Sequence, residues 1–301
     1  MFKFISRSTY TLSLIFITNF AFSQADTTKD PWEFTGLSSL NFTQVALSNW
    51  NGGGTSALSA NGIGTYSANY TKDKEKWSNT LNIAYGIQRT EETGTRKTDD
   101  KLEFVSKYNR TAFKKWSYTS ILNFRSQLQP GYSFPEDAEK IRISDWMAPG
   151  YLNFSIGLEN QPYKWLTIYI SPISSKTTFV LDDELSAVGA FGVDANETVR
   201  YEFGGLVKLA VDAKLDNNIK YTSSLELFSN YSNNPENIDV NWDNLIAFQI
   251  NKFLTTSFSF TLIYDDDIKL PIDSNDDGET DYSAPRTQIK QVLSIGVQYK
   301  F

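Results

Sequence analysis

Apolar and polar residues alternate with a period of two along most of this chain. In TLNIAYGIQ, Leu81, Ile83, Tyr85 and Ile87 share one side. WSYTSILNFRSQL carries Trp116, Tyr118, Leu122, Phe124 and Leu128 on one side and Thr119, Asn123, Arg125 and Gln127 on the other. YLNFSIGLE repeats the pattern with Leu152, Phe154, Ile156 and Leu158. It is clearest in RYEFGGLVKLAVDAKL, where Tyr201, Phe203, Val207, Leu209, Val211 and Leu215 alternate with Arg200, Glu202, Lys208, Asp212 and Lys214. A helix would scatter these charges around its circumference, whereas a strand places them all on one face. The chain ends SIGVQYKF, with Ile295, Val297, Tyr299 and Phe301 alternating to the last residue. Looser segments at residues 33–47, 55–70, 101–113 and 164–171 bring the total to about twelve predicted strands, each long enough to cross a bilayer at a tilt.

The connectors alternate as well. Short ones are predicted at 72–76, 113–115, 160–164, 216–218 and 251–252, and long ones at 48–54, 90–100, 130–145, 172–198, 230–239 and 265–288. Short turns at one rim, long loops at the other and an even strand number define an all-β, transmembrane, antiparallel up-and-down β-barrel. In a soluble sandwich or lipocalin-like barrel the strands are usually shorter and the apolar face points inward. Here the second face holds charges of both signs with small and polar residues, which suits a wet lumen with lipid outside. Trp77, Trp116, Trp165, Tyr231, Trp242 and Tyr264 near strand ends suit interfacial girdles.

The first residues change the picture of where the chain works. Lys3 and Arg7 precede an apolar stretch from Leu12 to Phe22, and Ala21 and Ser23 satisfy the small-residue rule for cleavage. Residues 1–23 are therefore predicted to be a signal peptide, 24–31 a periplasmic lead-in and 32–301 the barrel, which places the protein in a bacterial outer membrane. Loss of Lys3 and Arg7 with the leader lowers the basic count from 28 to 26 against 35 acidic residues, a net charge of −9. That balance excludes nucleic acid as a partner, since phosphate binding needs basic clusters. The chain has no cysteine and no histidine. The second absence removes Ser-His-Asp triads, Cys-His nucleophiles and the usual zinc sites, and no enzyme activity is expected. The expected partners are the outer-membrane bilayer, a small solute, and the barrel-assembly machinery. The terminal strand resembles the C-terminal strand of outer-membrane proteins generally, in which a terminal Phe and alternating aromatics are read by that machinery; Tyr299 and Phe301 would be the signal here.

Several stretches together resemble a family of Bacteroidetes outer-membrane proteins catalogued only as a domain of unknown function. They are SNWNGGG (residues 48–54), Trp77 through Tyr85 and Gly86, Asp99-Asp100-Lys101, Ala148-Pro149-Gly150-Tyr151, Ser171-Pro172 through Lys176, and Gly189-Ala190-Phe191-Gly192-Val193. The resemblance implies an outer-membrane barrel and supplies no activity.

Three sets of candidate site residues stand out. In DSNDDGETD, Asp273, Asn275 and Asp277 alternate before a turn glycine, followed by Glu279 and Asp281. Hard oxygen ligands at this spacing suit Ca²⁺, the only cofactor expected. A bidentate Glu would close such a loop where Ala284 stands, so a closing ligand must come from elsewhere, with Asp265, Asp266 and Asp267 the candidates. The other reading of this stretch is a solvated acidic loop. The second set is the predicted lumen charges: Lys101, Glu103, Lys107, Arg125, Arg200, Glu202, Lys208, Asp212, Lys214 and Glu226. They either line a pore and set its preference or pair with one another to fill a narrow barrel. The third is the partly apolar loop 183–196, which is expected to pack into the barrel mouth or to serve as a lid or ligand lip. The function expected is a narrow pore for small solutes; the alternative is a filled structural or binding barrel that presents acidic external loops.

Overall fold

The computed structural model describes residues 30–45, 57–90, 94–134, 139–272, 274 and 281–300. The predicted leader, the glycine-rich stretch and Phe301 therefore lie outside the described residues. The barrel belongs to the compact unit Pro31–Phe301. In chain order its strands are β1 (Trp32–Val45), β2 (Ala57–Lys72), β3 (Glu75–Thr90), β4 (Gly94–Phe113), β5 (Trp116–Ser126), β6 (Gly131–Ser133), β7 (Ile141–Ser144), β8 (Gly150–Tyr163), β9 (Leu166–Phe179), β10 (Val199–Asp216), β11 (Ile219–Asn230), β12 (Ile238–Gln249), β13 (Leu254–Tyr264), β14 (Lys269–Ile272), β15 (Tyr282–Pro285) and β16 (Gln288–Lys300). A short helix, α1 (Asp183–Ala187), stands between β9 and β10.

Among the described residues, twelve strands close into one ring in the order β1-β16-β13-β12-β11-β10-β9-β8-β5-β4-β3-β2. Every neighbouring pair is antiparallel. The seam pairs β1 with β16 from Leu37↔Lys300 to Asn41↔Gly296. Gly296 lets the strands approach closely there: a Cβ would lie 1.8 Å from Asn41 Oδ1, so the Asn41 side chain would have to move, and 3.0 Å from the Leu40 carbonyl oxygen. The barrel strands are 11 to 20 residues long. Even the shortest, tilted by about 45°, climbs about 25 Å, the height of a barrel's apolar band.

The faces are inverted relative to a soluble protein. Tyr201 is 79% exposed and Leu293 80%, while Glu202, one residue from Tyr201, is 5% exposed and Thr119 2%. Large apolar side chains thus face outward, and polar ones face a narrow interior. Aromatics cluster at the short-turn rim, where Trp32 lies 5.3 Å from Tyr70 and 5.8 Å from Trp77, and Tyr163 stacks on Trp165 at 5.3 Å. At the other rim Phe203 and Tyr231 pack edge to face at 5.9 Å. These girdles and the outward apolar wall define a transmembrane β-barrel.

Four predicted long loops are shorter or more ordered than their composition suggests. The loop expected at 90–100 is mostly strand, since β4 begins at Gly94 and pairs Lys97 with Ile87. Its polar residues are tied to the β5–β6 connection: Lys97 donates to Gln127 and to the Gln129 carbonyl, and Asp100 accepts from the Leu128 and Gln129 N–H groups. The loop expected from Pro172 starts only after Phe179. Pro172 is accommodated because the register slips on both sides of it, between Gly204 and Leu206 on β10 and between Ile156 and Leu158 on β8. A bulge is where a strand tolerates a residue with no N–H to donate. Loops 130–145 and 265–288 each contain a two-stranded hairpin, β6–β7 and β14–β15.

The lipid-facing assignment predicts a sharp contrast between neighbours. Val207→Arg places a charge on the outward wall and is expected to destabilise the barrel by about 2–4 kcal/mol in bilayer refolding titrations, whereas Lys208→Arg costs far less. Equal effects at the two positions would contradict the assignment.

Candidate functional site

The polar face of the strands is knitted by side chains that reach across neighbours. Thr65 Oγ1 donates to Asn82 Oδ1 (3.0 Å), Asn82 Nδ2 to Glu103 Oε2 (3.1 Å), and Asn123 Nδ2 to Glu103 Oε1 (3.3 Å). This chain spans β2 to β5. Nearer the short turns, Asn109 Nδ2 donates to Thr119 (2.7 Å) and to Glu159 (3.0 Å), Lys107 pairs with Glu159, and Tyr169, 1% exposed, donates to Ser155 (2.9 Å).

Above this packed level the lumen opens into a cavity of about 460 Å³. Arg125, Tyr151, Lys176, Phe228, Asp243 and Asp265 line it with others, and Phe191 reaches it from the β9–β10 loop. The main ionic cluster sits at this level. Lys176 Nζ donates to Asp265 (2.7 Å) and Asp239 (2.8 Å) and lies 3.6 Å from Glu202. Arg200 lies 3.0 Å from Glu202 and 2.9 Å from Asp267. Charges held away from bulk water are costly unless paired, and this cluster is paired throughout.

The ten predicted lumen charges fall into three groups. Lys101, Arg125, Lys208 and Glu226 line the cavity; Lys101 pairs with Glu103 at 2.9 Å, and Lys208 pairs with Glu226. Lys107, Arg200 and Glu202 belong to the networks just described. Asp212 and Lys214 stand apart: Asp212 meets Lys220 at 3.0 Å with both side chains exposed, and Lys214 reaches Asn217 at the β10–β11 turn. Those two belong to the short-turn rim and not to the enclosed lumen. They share the lumen-side parity, but the strand outlasts the enclosed space.

Sequence reading missed Lys176 and Asp239 and took Asp265 only for a candidate calcium ligand, because all three fell within stretches assigned to loops. Alternation through Ser174, Lys176 and Thr178 continues past Pro172 and was the signal that could have found the first of them.

The mouth is closed in by loop 180–198. Val180, Leu185, Val193 and Ala148 form a small buried apolar core, with Ala190 and Phe191 packed against it. Phe191 adopts φ 58°, a left-handed backbone that bulky residues rarely take. Asp182 caps α1 by accepting from Leu185 N–H at 3.0 Å, and it also pairs with Arg142 of β7. Burial alone would raise the Asp182 carboxyl, but the Leu185 N–H and the Arg142 guanidinium outweigh it and hold its pKa below the ordinary value. The Asp182 partner in turn raises Arg142.

Of the predicted calcium ligands, Asp273, Asn275, Asp277 and Glu279 lie outside the described residues. Asp281 accepts hydrogen bonds from the backbone N–H of Ser274 (2.8 Å) and its hydroxyl, which lower its pKa. The three carboxylates considered for closing the loop are engaged elsewhere: Asp265 with Lys176, Asp266 with Asn237 (2.6 Å), and Asp267 with Arg200. Among the described residues, no group of three or more carboxylates is arranged to hold a metal ion.

The chain is similar to a family described as a protein of unknown function (DUF3078) over residues 42–132. No curated protein matches it. Among solved structures it is similar to the translocator domain of the autotransporter NalP from Neisseria meningitidis (9% identity, 92% of this chain and 90% of that one, TM-score 0.41). It is also similar to the NanC porin (9% identity, 89% and 100%, TM-score 0.39) and to an outer membrane channel from Pseudomonas putida F1 (8% identity, 91% and 97%, TM-score 0.40).

Two expected outcomes follow. Lys176→Met leaves Asp239, Asp265 and Glu202 without their shared cation and should lower unfolding stability by about 3–5 kcal/mol, the cost of breaking a buried ion pair; Lys176→Arg should recover much of it. Because the folded pKa of Asp182 lies below its unfolded value, its contribution is complete above about pH 4 and is lost as pH falls through the lowered folded value. The protection factor of the Leu185 amide, exchange measured against its intrinsic rate at each pH, should therefore stay high at pH 5 and fall only below about pH 4. Loss of protection beginning near neutrality would contradict this account of the cap.

Proposed function

We propose that this protein is an outer-membrane conduit for small hydrophilic solutes, with its long loops outside the cell and its lumen throttled by its own paired charges. The observation that carries the reading is the cavity of about 460 Å³ inside the ring, walled by charges of both signs and overhung by Phe191. Mixed charge along a narrow wet path favours hydrated polar solutes over apolar ones and disfavours strong ion selectivity. The closely packed level at Tyr169, Thr119 and Glu159 favours the alternative, a filled barrel that binds without conducting.

Planar-bilayer recording separates the two. The conduit reading expects small, steady unit currents that rise in Phe191→Ala. A folded barrel that stays silent in both forms would leave the filled, binding barrel. The same recordings with calcium or chelator test residues 273–281 as a weak calcium loop. Millimolar calcium is expected to raise thermal stability or alter the current, and no response at that concentration would remove calcium from the account.

A further inference from the structure

Facing strands of the cavity carry groups of opposite charge that lack an ionic partner, although Lys290 of β16 reaches Asp99 of β4. Six places separate β5 from β13, and β4 from β12, in the twelve-strand ring, so each pair faces across the lumen. On the β4–β5 side, Lys101 and Arg125 share one carboxylate, Glu103, and that carboxylate is in contact with Lys101. Among the described residues Arg125 makes no ion pair; its guanidinium lies 5.1 Å over the Tyr151 ring and faces the cavity. The carboxylates of this wall are engaged by other cations, Asp100 by Lys97, Glu103 by Lys101 and Asp99 by Lys290, which leaves Arg125 as a planar, forked donor open to a carboxylate.

An acidic excess runs from β10 round to the facing strands β12 and β13. There Glu202, Asp239, Asp265 and Asp267 share only Lys176 of β9 and Arg200 of β10. Asp243 adds a carboxylate that accepts from the Thr261 hydroxyl at 2.6 Å. Glu202, though buried, has an Oε2 that accepts no aligned hydrogen bond. Asn241 Oδ1, which lines the cavity from β12, is buried and also unmatched by a donor.

The two excesses lie at similar heights. Counted from the short-turn rim, Arg125 is the tenth residue of β5, Lys176 the eleventh of β9 and Asp239 the eleventh of β12; Asp265 directly follows the eleven residues of β13. A cavity with a free guanidinium on one side and the carboxylate of Asp243 with the unfilled Asn241 acceptor on the other is complementary to one kind of solute. That solute carries an anion at one end and a multiple hydrogen-bond donor cation at the other.

We propose that the cavity binds small zwitterions of the amino-acid class. Arg125 takes the α-carboxylate, and the acidic wall around Asp243 and Asn241 takes the ammonium. Tyr151, Phe191, Phe228, Ile268 and Leu270 border the same space and offer an apolar surface to a side chain. The volume lies within the usual range for ligand sites, about 300–1,000 Å³. This inference shares its lumen with the conduit reading, but it concerns binding and needs no through-passage.

The test is calorimetric titration of the full chain, purified in detergent, with L-phenylalanine, 3-phenylpropanoate and 2-phenylethylamine. The three probes share a ring and differ in their charged ends. L-Phenylalanine should bind about tenfold or more tighter than either single-ended analogue, since each of those leaves one charged wall unmatched. Arg125→Gln should abolish its advantage over 2-phenylethylamine, and Asp243→Asn its advantage over 3-phenylpropanoate. A heat-dependent gel shift confirms folding of each variant. Should Arg125→Gln fail to fold, the probe series on the unaltered chain and Asp243→Asn decide the matter. Equal binding of the three probes, binding of none, or undiminished phenylalanine binding by folded Arg125→Gln would overturn the proposal. Because binding is read without current, a silent but zwitterion-binding barrel sinks only the conduit, and a conducting barrel indifferent to the probes sinks only this inference.

Discussion

The rest of the structure depends on the backbone hydrogen bond in a solvent that cannot replace it. Inside a bilayer an unpaired N–H or C=O costs several kilocalories per mole, so a sheet that enters lipid must have no edge. Pairing of β1 with β16 removes the edge here, and the close approach at Gly296 lets that seam form. Once the ring is closed, the pleat assigns every residue to lipid or lumen. The alternation of apolar and charged residues in β10 is the consequence, with Tyr201 outside and Glu202 inside.

Closure also sets the electrostatics of the interior. Side chains from twelve strands converge on a narrow space with few alternatives to one another, so a charge placed there either finds a partner or remains available. The Lys176 and Arg200 clusters take the first course and tie the loop residues Asp265 and Asp267 to the wall. Arg125 takes the second. The same cross-wall pairing that stabilises the mouth narrows it, so stability and permeability are set by one group of side chains.

Much of the fold was legible because a period of two is a strong signal when both solvents are uniform. Strand count, turn sides and the faces of β3, β5, β10 and β16 follow from it. The signal weakened at the upper strand ends. The first residues of β4 are polar because Lys97 and Asp100 bond to the β5–β6 connection, and they read as a loop although they are paired. Pro172 read as a terminator, and only the compensating register slips on β8 and β10 let the strand continue. The cavity suffered most, since Lys176, Asp239 and Asp265 lie in those upper strand ends. Their convergence depends on ring order and register, which a linear pattern does not carry. Helix α1 and Phe191 were legible only as a partly apolar loop, because their packing on Val180 and Ala148 is a tertiary event.

The account rests on one assignment, lipid outside and water inside, and the chain's lack of cysteine makes it directly testable. Single cysteines placed in turn at residues 206–211 of β10, in protein reconstituted in bilayers, can be spin-labelled and probed for collisions with oxygen and with a water-soluble nickel chelate. The account predicts a two-residue alternation, with positions 207, 209 and 211 open to oxygen and 206, 208 and 210 favouring the nickel chelate. A flat profile, or one with the phases exchanged, would contradict it.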